Sequence, residues 1–411
     1  MSAKKLLQIN LCSNILSTGK IAEGIGQSAI EQGWESYIAY GMNRTNPSTS
    51  NTIKIGGRHY LYLPYLESLL FDNHSLGLTC RGATKKLIGE IEKINPDVIQ
   101  LHTVHCYYLN LKVLFEYFAT IDIPVLWTLH DCWTFTGHCA YFDYVNCRKW
   151  EIGCGNCPQK HGYPKSLFVD RSAKNWAEKK ELFNSVQNLS IVTVSKWLQG
   201  LVEESFLKKH TLRTIYNGVD VSLFRPSDSS SFREKYGLVY KFMMVGVASS
   251  WSKRKGLDDY IKLAGVIDGS MCIVLVGVDK KQQAKLPNNI ICINKTYNVQ
   301  ELVDIYSAAD VVLNLSYEET FGMTTVEGFA CGTPGIVYNK TASPELVTAE
   351  TGFVVQAGDI DELLDRIKIV KENGKSLYSK NCRERAENFF DSKKCFGEYI
   401  ELYDSLLSKK E

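Results

Sequence analysis

Short apolar runs alternate with segments in which apolar residues recur every three or four positions along the whole chain of 411 residues. A run of roughly four to eight apolar residues predicts a buried strand, and the longer repeat predicts an amphipathic helix. Regular alternation of the two predicts the α/β class, a parallel sheet covered by helices. The predicted strands are Leu6–Leu11, Glu35–Gly41, Asp97–His102, Val125–His130, Ile191–Ser195, Phe242–Val247, Cys272–Gly277, Ile290–Asn294, Val311–Leu315, Gly335–Tyr338 and Phe353–Val355.

The helical segments lie between these strands. The first, Ile21–Gln32, follows a polar loop from Ser13 to Lys20 and ends at Gly33. No internal repeat of solenoid length occurs in the sequence. Further helices are predicted at Leu257–Val266, Val299–Ala308, Asp361–Lys371 and Lys394–Ser408.

A polar segment near the middle of the chain separates two alternating halves. It runs from Tyr216 through Arg225-Pro226 into a Ser-rich stretch that ends at Phe232. This composition is typical of an interdomain linker, so we expect a domain boundary at about residue 216.

The composition is that of an ordinary globular protein, with 45% hydrophobic and 22% charged residues. The net charge of +2 argues against a nucleic-acid binder, which needs a strong positive field. No apolar run reaches the length of a membrane span, and the apolar part of the N-terminus is too short for a signal peptide. The 13 cysteines are mostly scattered among apolar segments, which indicates a reducing cytoplasm.

Two carboxylates, Glu319 and Glu327, stand on either side of a glycine loop and a predicted helix start. The strand Val311–Leu315 delivers this loop to the edge of a sheet where open α/β folds bind ligands. Helix N-terminal N–H groups favour anions such as a diphosphate, and a carboxylate can accept both hydroxyl hydrogen bonds of a cis-diol. The alternative interpretation is a solvated loop with acidic residues near an ordinary helix dipole.

The longer pattern resembles a known motif. Glu-Glu-x-Phe-Gly at Glu318–Gly322, then Glu-Gly at Glu327, then Cys-Gly-Thr-Pro at Cys331–Pro334 resembles the C-terminal motif of the family-four retaining glycosyltransferases. The resemblance implies the GT-B fold, two Rossmann-like domains with parallel sheets that face each other across a cleft.

The same resemblance implies roles for the residues of this segment. Glu319 is expected near the donor sugar, where it acts in catalysis, and Glu327 is expected to hold the nucleotide ribose. The backbone of Phe321, Gly322 and Met323 is expected to line the donor pocket.

The linker carries the resemblance as well. Asn-Gly-Val-Asp at Asn217–Asp220, followed by Phe-x-Pro, is similar to the interdomain segment of this family, whose last helix crosses back to the N-terminal domain. This implies an N-terminal acceptor-binding domain of residues 1–215 plus 394–411 and a C-terminal donor-binding domain of residues 216–393. The resemblance therefore covers nearly the whole chain.

Gly19 lies in the loop predicted after the first strand. Glycine lets a ligand approach the backbone closely and can adopt positive φ. In the family, a glycine loop at this place touches the donor phosphates and the acceptor, although this chain departs from the commoner form with two glycines. An ordinary strand–helix turn is the alternative interpretation.

Three histidines lie at or just after the ends of predicted buried strands. His130, in Thr-Leu-His-Asp-Cys-Trp, matches the cleft histidine of the family, which contacts the donor sugar near the reacting carbon. His102 and His105 stand at the end of the preceding predicted strand and are expected to line the acceptor side. The alternative for each is a histidine that is simply hydrogen-bonded in the core.

A basic segment follows the strand Phe242–Val247. Lys255 precedes a glycine at a helix start, where an ammonium is well placed to bind a diphosphate, and it matches a lysine of the family. The family arginine just after the strand is missing here, so Arg254 or the hydroxyls of Ser249 and Ser250 would replace it. A solvated basic run is the alternative interpretation.

Four cysteines, Cys139, Cys147, Cys154 and Cys157, fall within 19 residues, and the last two form a C-x2-C knuckle. Four thiolates at this spacing can close a tetrahedral structural zinc site. Free thiols and two disulfides are the alternative interpretations, and a reducing compartment disfavours disulfides. A long insertion of this kind resembles those of the colanic-acid and capsular-polysaccharide subgroup.

The resemblance implies transfer of a sugar from a nucleotide-diphosphate donor to a glycan or lipid-linked acceptor in exopolysaccharide, capsule or O-antigen biosynthesis. It implies retention of configuration without a catalytic metal. Another two-Rossmann nucleotide-sugar enzyme, such as an epimerase, and a non-catalytic scaffold are the alternatives. The helical stretches Leu61–Leu70 and Lys196–Lys209 are candidates for peripheral contact at the inner membrane face, although neither has a strongly basic amphipathic pattern.

Overall fold

The computed structural model describes residues 3–57 and 61–408. The chain divides into two compact units. Unit 1 is Met1–Ile215 with Cys395–Glu411, and unit 2 is Tyr216–Lys394. The chain passes from unit 2 back to unit 1 within the last helix, which therefore starts in unit 2 and continues in unit 1.

Unit 1 is built on a parallel sheet of seven strands in the order β3-β2-β1-β4-β5-β6-β7. Its central strands are almost fully buried, because helices cover both faces of a parallel sheet. The strands are β1 (Lys5–Asn10), β2 (Glu35–Tyr40), β3 (Asn51–Lys54), β4 (Val98–Leu101), β5 (Val125–Leu129), β6 (Leu189–Thr193) and β7 (Thr211–Thr214). The helices are α1 (Leu16–Glu31), α2 (Tyr62–Phe71), α3 (Arg81–Ile94), α4 (Leu111–Phe118), α5 (Ser172–Asn184) and α6 (Lys196–Glu204).

Unit 2 is built on a parallel sheet of six strands in the order β10-β9-β8-β11-β12-β13. Its strands are β8 (Phe242–Val247), β9 (Met271–Val276), β10 (Ile290–Ile293), β11 (Val311–Asn314), β12 (Gly335–Tyr338) and β13 (Gly352–Val355). Its helices are α7 (Ser230–Lys235), α8 (Leu257–Val266), α9 (Lys280–Gln283), α10 (Val299–Ala308), α11 (Met323–Ala330), α12 (Ile360–Asn373) and α13 (Ser376–Phe389), and α14 (Ser392–Ser408) follows them.

The predicted α/β architecture with two parallel sheets is confirmed. In each sheet the strand order reverses direction at one place, between β1 and β4 in unit 1 and between β8 and β11 in unit 2. Loops diverge at such a point and leave a crevice at the carboxyl ends of the strands, where ligands of these folds bind.

The last helix packs on unit 1 through the predicted apolar stripe. Phe396 lies so close to Gly24 of α1 that a Cβ there would meet its ring at 2.2 Å. The hydroxyl of Tyr403 donates to the buried side chain of Gln100. A glycine opposite an aromatic ring therefore lets α14 and α1 approach closely.

Two parts of the local prediction were wrong. The helix α1 begins at Leu16 rather than at Ile21. Its first turn looked like a loop in the sequence because Ser17 and Lys20, which lie on its exposed face, are polar. The edge strands β3 and β7 were missed, since all their residues are exposed or half-buried and neither strand carries an apolar run.

Candidate functional site

The loops after β8 and β11 meet at the strand-order reversal of unit 2. Lys255 ends the 3-10 helix Lys253–Lys255, and its Nζ donates to Glu319 Oε1 in a partly buried ion pair. The side chains are 22% and 17% exposed, so solvent screens this pair less than it would a surface pair. The structure therefore brings together two residues that are 64 positions apart in the sequence.

Gly256 makes this contact geometrically possible. Its backbone has φ +73°, and a Cβ would lie 2.1 Å from the carbonyl oxygen of Leu315 at the end of β11. Only glycine tolerates both the left-handed conformation and this close approach. As a result, the residue before it, Lys255, is held against the loop after β11.

The N-terminus of α11 faces the same loop. Gly322 precedes the helix with φ +108°, and in the described part of the chain no side chain caps the first turn. The first turn also lacks an acidic residue. The N–H groups of this turn and the positive end of the helix dipole thus form a site that favours an anion.

Glu319 is fixed by its backbone as well as by Lys255. Its N–H donates to Thr341 Oγ1 at 2.9 Å, and its carbonyl oxygen accepts from the N–H of Ala342 at 3.2 Å. The turn after β12 therefore sets the position of this carboxylate. Thr341 was not predicted as a site residue, because its only sequence signal is its place just after a predicted strand.

Glu327 lies on α11, where its Oε2 accepts a hydrogen bond of 2.8 Å from the hydroxyl of Tyr306 on α10. Burial and the neighbouring Glu327 hold the pKa of Tyr306 well above its usual value, so the hydroxyl stays a donor. A carboxylate has about four lone-pair positions and can accept from Tyr306 and from further hydroxyl groups together. Tyr306 was not predicted as a site residue either, because a tyrosine on the apolar face of a helix is typical of an ordinary core.

Arg254 supports the loop after β11 rather than projecting away from it. Its Nη1 donates to the carbonyl oxygen of Glu318 at 3.0 Å, and its own carbonyl accepts from the N–H of Tyr317 at 2.9 Å. Ser249 and Ser250 are exposed just after β8. The replacement of the family arginine by Arg254 or by these hydroxyls stays a prediction.

In unit 1, the histidines after β4 and β5 form a stacked pair. His102 Nδ1 lies 3.1 Å from His130 Nε2, with ring centroids 5.4 Å apart. His102 is 2% exposed, and its Nε2 lies 3.0 Å from Gln8 Oε1 on β1. Gln8, His102 and His130 thus form a row of side chains in hydrogen-bond contact. His130 is half-buried and lies at the end of this row.

The row fixes which nitrogen of each ring carries a proton. Gln8 donates its Nε2 to the carbonyl of Ala22, so its Oε1 must accept from His102 Nε2. His102 Nδ1 then accepts, and His130 Nε2 donates. Burial lowers the pKa of His130 to about 4, although Asp131 acts in the opposite direction, and burial lowers the pKa of His102 well below its usual value. Both rings are therefore neutral near pH 7.

His105 has a different environment. Its Nε2 lies 2.9 Å from Asp131 Oδ2, and its ring stacks on Trp133 at 4.8 Å. Burial opposes protonation, but the neighbouring Cys106 and Asp131 raise the pKa of His105 to about 10. His102 and His105 thus lie against His130 and Asp131 respectively, and their predicted place on the acceptor side stays a prediction.

Gly19 lies within the first turns of α1 rather than in a loop. It does not adopt positive φ, and a Cβ there would meet Cys12 Sγ at 2.8 Å. The glycine is needed for space beside Cys12, and its predicted place in a loop was wrong. Its contact with donor phosphates stays a prediction.

The four cysteines of the insertion are free thiols. Cys139 and Cys157 share a hydrogen bond that lowers the pKa of Cys157 to about 7. Cys154 Sγ accepts from the N–H of Gly137 at 3.2 Å. Among residues 3–57 and 61–408, three metal-ligating side chains come within 4.8 Å of one another at Asp72, His74 and His138, and not at the cysteines. The four-cysteine zinc site stays a prediction.

Two family models match the chain. The model described as Glycosyltransferase Family 4 matches residues 25–223, and the model described as Glycosyl transferases group 1 matches residues 228–389. The chain is a glycosyltransferase.

Curated relatives of this glycosyltransferase come from bacteria. A protein of Escherichia coli K12 named as a colanic acid biosynthesis glycosyl transferase, WcaC, is 23% identical over 429 residues, which is 98% of this chain and 100% of the relative. The capsular polysaccharide biosynthesis glycosyltransferase CapM of Staphylococcus aureus is 24% identical over 239 residues, which is 54% of this chain and 63% of the relative.

Solved structures share the fold of this glycosyltransferase. Sucrose-phosphate synthase from Thermosynechococcus elongatus aligns with a TM-score of 0.72 at 18% identity, over 99% of this chain and 100% of that chain. Anabaena HepE in complex with UDP-glucose aligns with a TM-score of 0.67 at 16% identity, over 98% and 99%. The GT-B fold implied by the sequence motif is thus confirmed. In the described part of the glycosyltransferase, no helix has the length and apolar character that crossing a membrane requires.

Proposed function

We propose that this glycosyltransferase moves a sugar, with retention of configuration, from a nucleotide-diphosphate sugar to a glycan or lipid-linked acceptor in polysaccharide biosynthesis. The observation that carries the proposal is the pairing of Lys255 with Glu319 beside the uncapped N-terminus of α11. This arrangement offers an ammonium, a set of N–H groups and a carboxylate at the place where such folds bind ligands.

The donor would use each of these groups. The diphosphate accepts from Lys255 and from the N–H groups of the first turn of α11, beside Gly322 and Met323. The ribose hydroxyls donate to Glu327, which Tyr306 already orients. Phe321 is 2% exposed, so its backbone rather than its side chain is what a donor would contact.

Donor binding would exchange partners at Lys255. The ammonium is paired with Glu319 in this structure, and a diphosphate carries more negative charge than one carboxylate. Lys255 would turn to the diphosphate and release Glu319 to accept from hydroxyls of the donor sugar. When the sugar–phosphate bond breaks, Lys255 and the helix N–H groups stabilise the charge that develops on the leaving diphosphate. We therefore propose that no metal ion takes part in the chemistry.

Unit 1 would supply a neutral hydrogen-bond donor. His130 Nε2–H is fixed by His102, which is fixed in turn by Gln8. Because His102 and His105 are buried, we propose that they orient His130 and Asp131 and that the acceptor itself binds to neighbouring exposed groups of unit 1.

The curated relatives support a role in polysaccharide biosynthesis, since WcaC and CapM are named for colanic acid and capsule. The HepE structures contain UDP and UDP-glucose, which makes UDP-sugars the first donors to test. We propose that the enzyme works in the cytoplasm, where nucleotide sugars are made.

The proposal is tested by product analysis with radiolabelled UDP-, GDP-, ADP- and dTDP-sugars and lipid-linked glycan acceptors, without added divalent cations. We expect free nucleoside diphosphate together with a glycosylated acceptor. The Glu319→Ala variant should lose at least 100-fold in turnover, roughly what the loss of a charged contact at the reacting centre costs. The exposed Glu350→Ala variant is the matched control and should match wild type.

A rearranged sugar nucleotide without transfer would instead identify an epimerase. Wild-type turnover in Glu319→Ala would overturn the assignment of this residue.

We further propose that α2 contacts a lipid surface when the acceptor is lipid-linked. Tyr62, Leu63 and Phe71 are 66%, 67% and 56% exposed, which is unusual for large apolar side chains on one helix. A concave surface of the same unit is lined by Lys54, Lys86 and Lys93, with Glu90, and its net positive charge suits anionic headgroups.

Cosedimentation with vesicles of anionic and of neutral phospholipid tests this contact. We expect binding to the anionic vesicles only, and several-fold weaker binding for the double variant Leu63→Ser, Phe71→Ser. Binding that the double variant leaves unchanged, or no binding at all, would contradict it.

A further inference from the structure

A buried cluster of metal-ligating side chains lies in unit 1 and shares no residue with the donor contacts discussed above. Asp72 is the C-cap residue just after α2, His74 stands two positions further on, and His138 lies in the cysteine-rich insertion. Their exposed fractions are 0%, 1% and 1%. The cluster therefore joins segments that are more than 60 positions apart.

Three ligand atoms converge on one point. His74 Nε2 lies 2.6 Å and His138 Nδ1 lies 2.5 Å from the same carboxylate oxygen, Asp72 Oδ1. The two nitrogens are 3.4 Å apart. Ligands of a tetrahedral ion with bonds of about 2.0–2.1 Å are separated by about 3.3 Å. The nitrogens already have this spacing, and the carboxylate would need to withdraw by less than about 1 Å.

Protein hydrogen bonds alone account poorly for this arrangement. His74 and His138 must each donate an N–H to the same oxygen, Asp72 Oδ1. The two N–H groups are then brought close together, since the two nitrogens are only 3.4 Å apart. The opposite nitrogens, His74 Nδ1 and His138 Nε2, are buried and have no hydrogen-bond partner among the described residues. Burying two ring nitrogens without hydrogen-bond partners costs free energy of folding, and the protein structure alone offers no evident benefit in exchange.

The ligand that forms the centre of the cluster is itself held in place. Asp72 Oδ2 accepts from the N–H of Arg171 at 2.7 Å, and the carbonyl oxygen of Asp72 accepts from Asn175 Nδ2 at 2.5 Å. Outer hydrogen bonds that fix the orientation of a ligating carboxylate are typical of metal sites. They also connect the start of α5 to the cluster.

We propose that Asp72 Oδ1, His74 Nε2 and His138 Nδ1 bind a structural Zn²⁺ ion. Neutral imidazole nitrogens and a carboxylate oxygen are a ligand set that zinc accepts. Three protein ligands leave the fourth tetrahedral position to a water molecule. Because all three residues are buried, a substrate cannot reach the ion, which would act by pinning α2, the cysteine-rich insertion and the start of α5 together. This site is distinct from the four cysteines, although His138 immediately precedes Cys139.

The first test is X-ray absorption at the zinc edge on the full-length wild-type protein, together with metal analysis by mass spectrometry. We expect at least one zinc ion per chain and a ligand shell that contains imidazole nitrogens. This measurement requires no variant, so a folding defect cannot obscure it. A protein without bound metal, or a shell of sulfur alone, would overturn the proposal.

The second test uses variants of the ligands and of a nearby histidine. His74→Gln and Asp72→Asn should each lose one zinc ion per chain and the imidazole signal. His161→Gln is the matched control, because His161 is an exposed histidine just after the cysteine-rich insertion, and it should keep the wild-type zinc content. If His74→Gln retains all its zinc and the imidazole signal, the site is not at this cluster.

Discussion

At the residue scale, the site in unit 2 depends on side chains that each have two uses. Lys255 is paired with Glu319 here, and the same ammonium is the group best placed to bind a diphosphate. Glu327 is held by Tyr306 and still offers further lone pairs to a ribose. Such prior pairing keeps partly buried charges satisfied before a donor arrives, which limits the cost of burying them.

The histidine row of unit 1 makes a prediction about protonation. With a pKa of about 4, His130 should be neutral and protonated at Nε2 from pH 8 down to about pH 5. Nitrogen-15 NMR of the imidazole side chains measures both properties, with the denatured protein as the reference, where histidine titrates near pH 6.5. Titration of His130 near pH 6.5 in the folded protein would contradict the row.

The same histidine links stability to pH. The unfolded chain takes up its proton near pH 6.5, whereas folded His130 stays neutral until about pH 4. The unfolded state therefore binds more protons in this window, and His130 contributes a fall in the free energy of unfolding as pH drops through it.

The sequence predicted some of these residues and not others. Glu319, Lys255 and His130 lie at or after the ends of strands within recognisable motifs, so their position at a sheet edge could be predicted, and Glu327 belongs to the helix predicted after one of these strands. Gln8, Tyr306 and Thr341 could not, because each acts through a contact with an element distant in the sequence.

At the element scale, the geometry of the site in unit 2 depends on the close approach of the loops after β8 and β11. Gly256 packs against the end of β11, and this contact places the 3-10 helix Lys253–Lys255 beside Glu319. Strand and helix bounds followed from apolar periodicity to within a few residues, as at β8 and α8. The start of α1 did not, because its first turn is polar on the solvent side.

Replacing Gly256 should therefore damage both stability and binding. We expect Gly256→Ala to lower the free energy of unfolding by roughly 1–3 kcal/mol, since a Cβ would clash with the carbonyl of Leu315 in a backbone conformation that L residues avoid. Displacement of Lys255 should also weaken nucleotide binding. Chemical denaturation and calorimetry measure the two effects.

The matched control is Gly265→Ala, in the helix α8 that follows Gly256. A Cβ at Gly265 meets nothing within 4 Å, so this change should be neutral or stabilise by up to about 1 kcal/mol. Equal effects of the two substitutions would contradict the packing argument for Gly256.

At the scale of the whole molecule, each unit has its own parallel sheet and its own strand-order reversal. Two-domain α/β architecture was predictable because alternating apolar runs and amphipathic segments persist on both sides of the linker. The order of the strands was not predictable, since it depends on which later strand each crossover connection places beside β1 and beside β8. The shared fold with sucrose-phosphate synthase at 18% identity likewise reflects a pattern that many sequences satisfy.

The central claim is that unit 2 binds a nucleoside diphosphate through Lys255 and Glu327. Calorimetry of the full-length protein with UDP, GDP, ADP and dTDP tests it most directly, and we predict that one of these nucleotides binds. Lys255→Ala and Glu327→Ala should each weaken that binding by roughly 10- to 100-fold, the loss of one charged hydrogen bond. Lys253→Ala, an exposed lysine of the same 3-10 helix, should bind like wild type. Failure of all four nucleotides to bind, or wild-type affinity in Lys255→Ala and Glu327→Ala, would contradict the account.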